Sequence, residues 1–182
     1  MLALPTTSSF AAPVPATLPR AMPLLPFGTI KLARGMGRGP TERAAFDMAL
    51  QEAGIGSHNL IPLTAPIPPG SQIERGRYQA HPQTFGQRLY VVMAQRCESQ
   101  RGRTAHAGLG WVREQVGGQG LMIDLQSDDG ERLSRDLHAT LQAMQRSRGV
   151  SFGPVSTELA QATCEGEPVC ALVVAVFQSE PW

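Results

Sequence analysis

The chain has 182 residues, of which 42% are apolar and 17% charged, with a formal net charge of +1. That composition builds a single domain with a full core and excludes overall disorder. The near-neutral charge removes the electrostatic case for a nucleic-acid partner, and no apolar run reaches the about 18 residues that a membrane helix needs.

The segment 1–26 holds Pro5, Pro13, Pro15, Pro19, Pro23 and Pro26. Prolines at this density break both a helix and the apolar core of a signal peptide, so a disordered or extended arm is expected. The domain is expected to run from 27 to 182. GMGRGP (Gly35 to Pro40) reads as a glycine-rich loop, without the strand-then-helix setting of a phosphate fingerprint. A helix is predicted from Thr41 to Ala53, capped by Thr41 and stopped at Gly54, with Phe46, Ala49, Leu50 and Ala53 on one face. Asn59 to Thr64 reads as a short strand that Pro62 confines to an edge.

From Pro66 to Phe85 the chain is rich in turn residues. Three strands then follow at hairpin spacing, at Arg88 to Arg96, Thr104 to Val112 and Gly120 to Gln126, and predict an antiparallel meander. Asp128 with Glu131 forms a capping signal for a long helix buried through Leu133, Leu137, Leu141 and Met144 and ended by Gly149. The last strand, Val169 to Phe177, is apolar almost throughout, which suggests burial on both faces. The class is α+β, with helices over a largely antiparallel sheet.

The chemistry-bearing residues are few. His58, His81, His106 and His138 lie far apart, and no zinc-type spacing occurs, so no metal is expected. His138 is expected on the solvated side of the long helix. Three cysteines form no disulfide framework, which fits a reducing, cytoplasmic setting. Cys97 stands beside Arg96, Arg101 and Arg103, and such cations lower a thiol pKa, but with no partner for a dyad the favoured reading is a structural cysteine; Cys170 lies inside the apolar last strand and reads as core. Asp47 interrupts the apolar face of the first helix. Asp124 lies within the strand LMIDL, on the face of Met122 and Gln126 and opposite that of Leu121, Ile123 and Leu125. Either the Asp124 face is an exposed polar surface, or the carboxylate lines a cleft and suits acid–base work or a cationic substrate.

The stretch AAFDMALQEAGIGSHNLIPLTAPIPPG (Ala44 to Gly70) resembles the pyruvoyl-dependent arginine decarboxylases in its Phe-Asp pair, Ala-Gly-Ile-Gly turn, Asn-Leu-Ile strand and following Pro-Pro. The GLMIDLQ strand, the next helix and the cysteine-containing last strand are similar in order and spacing, so the resemblance covers about Phe27 to Gln178. It implies an αββα sandwich, assembled as a homotrimer or hexamer with sites between subunits. It also implies a Ser-Ser pair whose second serine becomes a pyruvoyl electron sink. By this resemblance Asp47 matches a substrate-pocket aspartate and Asn59 the strand asparagine, while Asp124 falls where the family has a catalytic glutamate.

The serine pair falls on Thr64 and Ala65. Ala65, at the former pyruvoyl position, has no hydroxyl, so no pyruvoyl group is expected and the chain should stay uncleaved. The resulting expectation is a non-decarboxylating homologue. It binds an amine or guanidine through Asp47 and Asn59 and acylates or condenses it in specialised metabolism, with an acyl thioester as donor, Asp124 as base and Thr64 as a hydrogen-bond donor. Two alternatives stand beside it: a non-catalytic arginine- or agmatine-binding or regulatory subunit, and a decarboxylase matured by an atypical route at Thr64. Neither a nucleic-acid nor a membrane partner is expected.

Overall fold

The computed structural model describes residues 28–64, 66–115 and 118–182. The segment 1–26 and Ala65 therefore lie outside the described residues. The elements are β1 (Thr29–Arg38), α1 (Glu42–Ala53), β2 (Asn59–Pro62), β3 (Pro66–Ile67), β4 (Gln72–Arg75), a 3-10 turn (Pro82–Thr84), β5 (Arg88–Glu98), β6 (Thr104–Arg113), β7 (Gly120–Ser127), α2 (Gly130–Arg146), β8 (Ser156–Thr163) and β9 (Val169–Glu180). They form two sheets, ordered β2-β5-β9-β1-β4 and β3-β7-β6-β8. β1 with β4 and β2 with β5 run parallel, and the other pairs are antiparallel.

Three buried clusters define four layers. Ala45, Ala49 and Ala53 of α1 meet Ala33, Leu172 and Val174 on the outer face of the five-stranded sheet. Leu32, Val92, Ala171 and Val173 meet Leu109, Trp111 and Met122 between the sheets. Leu133, Leu137 and Leu141 of α2 meet Val112, Leu121 and Ile123 on the far side. The order helix, sheet, sheet, helix is the expected αββα sandwich. β9 lies third in its sheet and is buried on both faces, because its odd and even residues join different clusters.

Thr41 caps α1 through its side chain, and Gly54 ends it at φ 87°, a left-handed conformation that glycine adopts without a Cβ clash. β2 is an edge strand, as Pro62 requires, and it ends at Pro62 rather than Thr64.

Four expectations are corrected. Within GMGRGP, Gly35 to Arg38 are the end of strand β1 and only Gly39 and Pro40 lie beyond it: Gly35 and Gly37 recur at the strand period and face α1. A Cβ on either would stand 1.9 Å from a helix carbonyl oxygen, at Ala49 or Ala45. The three-strand meander is also wrong, since β5 belongs to the other sheet and only β6 and β7 make a hairpin. The apolar run at Leu89 to Ala94 buries both faces, placing β5 between β2 and β9, while the Glu98 carboxylate accepts the Ser99 and Gln100 amides at the turn towards β6. α2 is capped by Asp129, not Asp128, and ends at Arg146 before Gly149. His138 is half-buried, with Nδ1 2.8 Å from the Ser134 carbonyl. β1, β3, β4 and β8 were not anticipated.

Candidate functional site

The chain passes from one sheet to the other at an open edge of the sandwich. β2 is the outer strand of the five-stranded sheet, and the Leu63 amide still donates to the Val91 carbonyl at 2.8 Å. Thr64 follows, exposed and beyond the ladder, and β3 then pairs with β7 through Pro66–Leu121 and Ile67–Gly120. That pairing is antiparallel, and Asp124 lies three residues beyond Leu121, the β7 partner of Pro66. β3 has only two residues, so Asp124 has no strand beside it on that side among the described residues.

Asp124 pairs in register with buried Leu109, which fixes it on the inner face of its sheet, yet it is exposed. The expected alternation holds: Met122 is buried between the sheets, while Leu121 and Ile123 lie under α2. Between the two readings of Asp124, the described chain supports a solvent-open carboxylate at a sheet edge. Asn59 opens β2 on the same edge. Its Nδ2 donates to the Gly86 carbonyl at 2.6 Å, and Trp182 Nε1 donates to the same oxygen at 2.8 Å.

Next to it, His58 Nε2 lies 3.0 Å from the Thr84 hydroxyl. Thr84 already donates to the His81 carbonyl at 2.7 Å, which assigns the His58 proton to Nε2. Burial pushes the His58 pKa down, against a smaller opposing pull from the Ile55 carbonyl.

Asp47 does not join this group. It is exposed on α1, because the buried stripe is Ala45, Ala49 and Ala53 and leaves Asp47 off it. It therefore does not interrupt an apolar face. α1 covers the outer face of the five-stranded sheet, whereas Asp124 belongs to the other sheet, so a full sheet separates the two aspartates within one chain.

Two cavities flank these elements. One of about 410 Å³ lies beside the crossover, against Pro66, Ile67, Pro68, Leu121, Phe152 and Arg148. A larger cleft of about 1030 Å³ opens near β8 and includes Arg34, Arg75, Arg77 and Glu158. Its cations are already engaged. Arg34 and Arg75 pair with Glu158 at 3.2 and 2.7 Å, and Arg77 donates to the Gln51 and Glu52 carbonyls at the end of α1. We therefore place the candidate site at the crossover, between the edge strand β2 that opens with Asn59 and precedes Thr64, and the part of β7 beyond β3 that carries Asp124.

Cys97 is not an activated thiol. Burial pushes its pKa up, only partly offset by the neighbouring Cys170 thiol, in keeping with a structural cysteine rather than cationic activation. Among the described residues no group of three or more His, Cys, Asp or Glu is arranged for a metal ion. Sequence reasoning passed over Gly86 and Trp182. They stand 27 and 96 positions from the groups they bond, Asn59 and Gly86, and no local pattern reports such a contact.

The family model for pyruvoyl-dependent arginine decarboxylase matches residues 29–181. The chain is 31% identical over 163 residues to a pyruvoyl-dependent arginine decarboxylase of Halobacterium salinarum (strain R1 / DSM 671), covering 84% of this chain and 96% of that one. It is 35% identical over 79 residues to pyruvoyl-dependent arginine decarboxylase 2 of Archaeoglobus fulgidus, 42% of this chain and 48% of the relative. With a Thermoplasma volcanium pyruvoyl-dependent arginine decarboxylase it shares 33% over 86 residues, 46% of each. It thus spans about half the length of the latter two relatives. A solved pyruvoyl-dependent histidine decarboxylase at pH 8 is similar over 58% of this chain and 55% of its own, at 14% identity and a TM-score of 0.41.

Proposed function

The chain belongs to the pyruvoyl-dependent arginine decarboxylase family, and from that premise we propose that it binds a cationic amine or guanidine without making a pyruvoyl group of its own. The observation that carries this is Ala65. A pyruvoyl group of this kind needs a side-chain oxygen to attack the preceding carbonyl, and a methyl group has no lone pair with which to do so. Thr64 carries a hydroxyl but sits one residue earlier; cleavage at its own bond would leave a 2-oxobutanoyl group instead. The pyruvoyl cofactor therefore does not fit position 65.

Asp47 and Asp124 stand on opposite sides of a sheet. A pocket using both takes Asp47 from one copy and Asp124 with Asn59 and Thr64 from another, which makes the working unit an oligomer; the family resemblance makes that oligomer a homotrimer or hexamer. There the carboxylates hold the amine through charge-assisted hydrogen bonds. With no internal electrophile, the fitting reaction is acyl transfer. Asp124 takes one proton from the ammonium, the amine nitrogen attacks the carbonyl of an acyl thioester, the C–S bond breaks, and the thiol leaves with the second nitrogen proton as the amide forms. The cavity of about 410 Å³ beside the crossover offers apolar room for the acyl group. A second reading, decarboxylation by an atypical route, is favoured by the names of the relatives.

The test is the intact mass of the purified chain under denaturing conditions, followed by calorimetry with agmatine and arginine and a search for amide products with acyl thioesters. One species at 19.5 kDa is expected, together with amine binding that weakens about tenfold in Asp47→Asn. Fragments 1–64 and 65–182, or 1–63 and 64–182, with a keto-terminal mass on the larger would overturn the proposal in favour of decarboxylation. An uncleaved chain that binds amines yet forms no amide would restrict it to a binding or regulatory role.

A further inference from the structure

Cys97 of β5 and Cys170 of β9 are direct partners in an antiparallel pair. Residues opposite one another in such a pair project from the same face, with Cβ atoms about 4.5–5.5 Å apart. A disulfide needs Cβ atoms about 3.5–4.5 Å apart, so closure asks only for a small local approach. Neither thiol is committed to another side chain: Cys97 Sγ lies 3.7 Å from the Glu42 carbonyl and Cys170 Sγ 4.0 Å from that of Ala171. Both belong to the cluster beneath α1; Cys170 is fully buried, while Cys97 is half-exposed and its Sγ lies 3.7 Å from the Glu42 carbonyl in the first turn of that helix.

We propose that Cys97 and Cys170 form a reversible cross-strand disulfide when a peroxide reaches the half-exposed Cys97. Cys97 sulfur attacks one peroxide oxygen, the O–O bond breaks, and one water leaves with the thiol proton, giving a sulfenic acid. Cys170 sulfur then attacks Cys97 sulfur, the S–O bond breaks, and a second water leaves with the Cys170 proton. Two thiols and one hydrogen peroxide become one disulfide and two waters, with the two electrons passing from sulfur to the peroxide. Burial pushes both thiols up, which keeps the pair reduced and slow to react until oxidant accumulates. Closing the bond removes the proton that Cys97 holds against the Glu42 carbonyl, at the start of the helix that carries Asp47.

Cys164 supplies an internal control. It lies between β8 and β9 with Sγ 3.3 Å from the Glu167 carbonyl, outside the β5–β9 ladder. The experiment treats the native full chain with excess hydrogen peroxide, blocks remaining thiols under denaturing conditions and maps the peptides. The expected result is a mass lower by about 2 Da, one Cys97–Cys170 linked peptide, a blocked Cys164, and full return of all three thiols on reduction. The Cys97→Ser variant should yield no linked peptide. Blocking at both Cys97 and Cys170 after oxidation, over-oxidation of Cys97 alone, or a link that includes Cys164 would each overturn the proposal.

Discussion

Both helices of the sandwich lie on glycines, but they meet them in different ways. α1 buries three alanines against its sheet, with Phe46 and Leu50 partly buried beside them, and rests its backbone against Gly35 and Gly37; at both positions the group a Cβ would strike is a helix carbonyl at 1.9 Å. α2 brings leucines. At Gly110 of β6 the atoms nearest an added Cβ are side-chain methyls, Leu141 Cδ1 at 3.0 Å and Leu137 Cδ2 at 3.2 Å. The first contact is backbone against backbone and has nothing to yield, whereas the second is lined by atoms that can turn. The helix fixed the more rigidly is the one that presents Asp47, the more remote of the candidate charges.

The largest effect is expected from Gly35→Ala, which breaks the backbone contact outright. The helix must lift away from β1, at a cost of at least about 3 kcal/mol, near the upper end for overpacking. A shift in urea midpoint reads this directly, and an unchanged midpoint would mean that α1 is not seated as closely as described. Gly110→Ala sharpens the contrast. Leu141 and Leu137 need to give only a few tenths of an ångström, and alanine regains part of what glycine loses in a strand. The net loss is at most about 1 kcal/mol. Equal losses in the two variants would erase the distinction between the layers.

The legibility of the sequence followed the same division. α1, α2 and β9 could be read almost to their ends, since caps, leucine spacing and an unbroken apolar run are local signals. β1 was missed because glycine is read as a loop former, and only the partner helix shows that Gly35 and Gly37 are spacing devices. β5 was assigned to the wrong sheet for a related reason. Hairpin spacing says that neighbours are close in sequence, but burial on both faces, through Leu89 and Val91 on one side and Val92 and Ala94 on the other, decides which sheet holds the strand. At the site, the faces of β7 were legible from alternation. The Asn59–Gly86–Trp182 junction was not, because its members meet only after the chain has closed.

The smallest expected effect separates the layers by pH. The turn that leaves α1 contains His58, whose pKa burial lowers below the ordinary histidine value of 6.5. The unfolded chain therefore takes up a proton at a higher pH than the folded one. The stability linked to His58 is fully present above 6.5 and is lost as pH falls through the lower folded value. α2 begins at Asp129, whose carboxylate is held below 3.8 chiefly by the backbone amide of Arg132 and, with burial opposing, by that of Glu131. Its contribution is present above 3.8 and is lost only as pH falls through a still lower value. Acidification should thus loosen the end of α1 before the start of α2. Urea midpoints measured from pH 8 to pH 3 for the native chain, His58→Gln and Asp129→Asn would follow the two losses. His58→Gln should flatten the decline just below 6.5, and Asp129→Asn only the one below 3.8. If His58→Gln leaves the upper decline intact, the remaining histidines carry it and the turn after α1 is not the pH-sensitive joint of this fold.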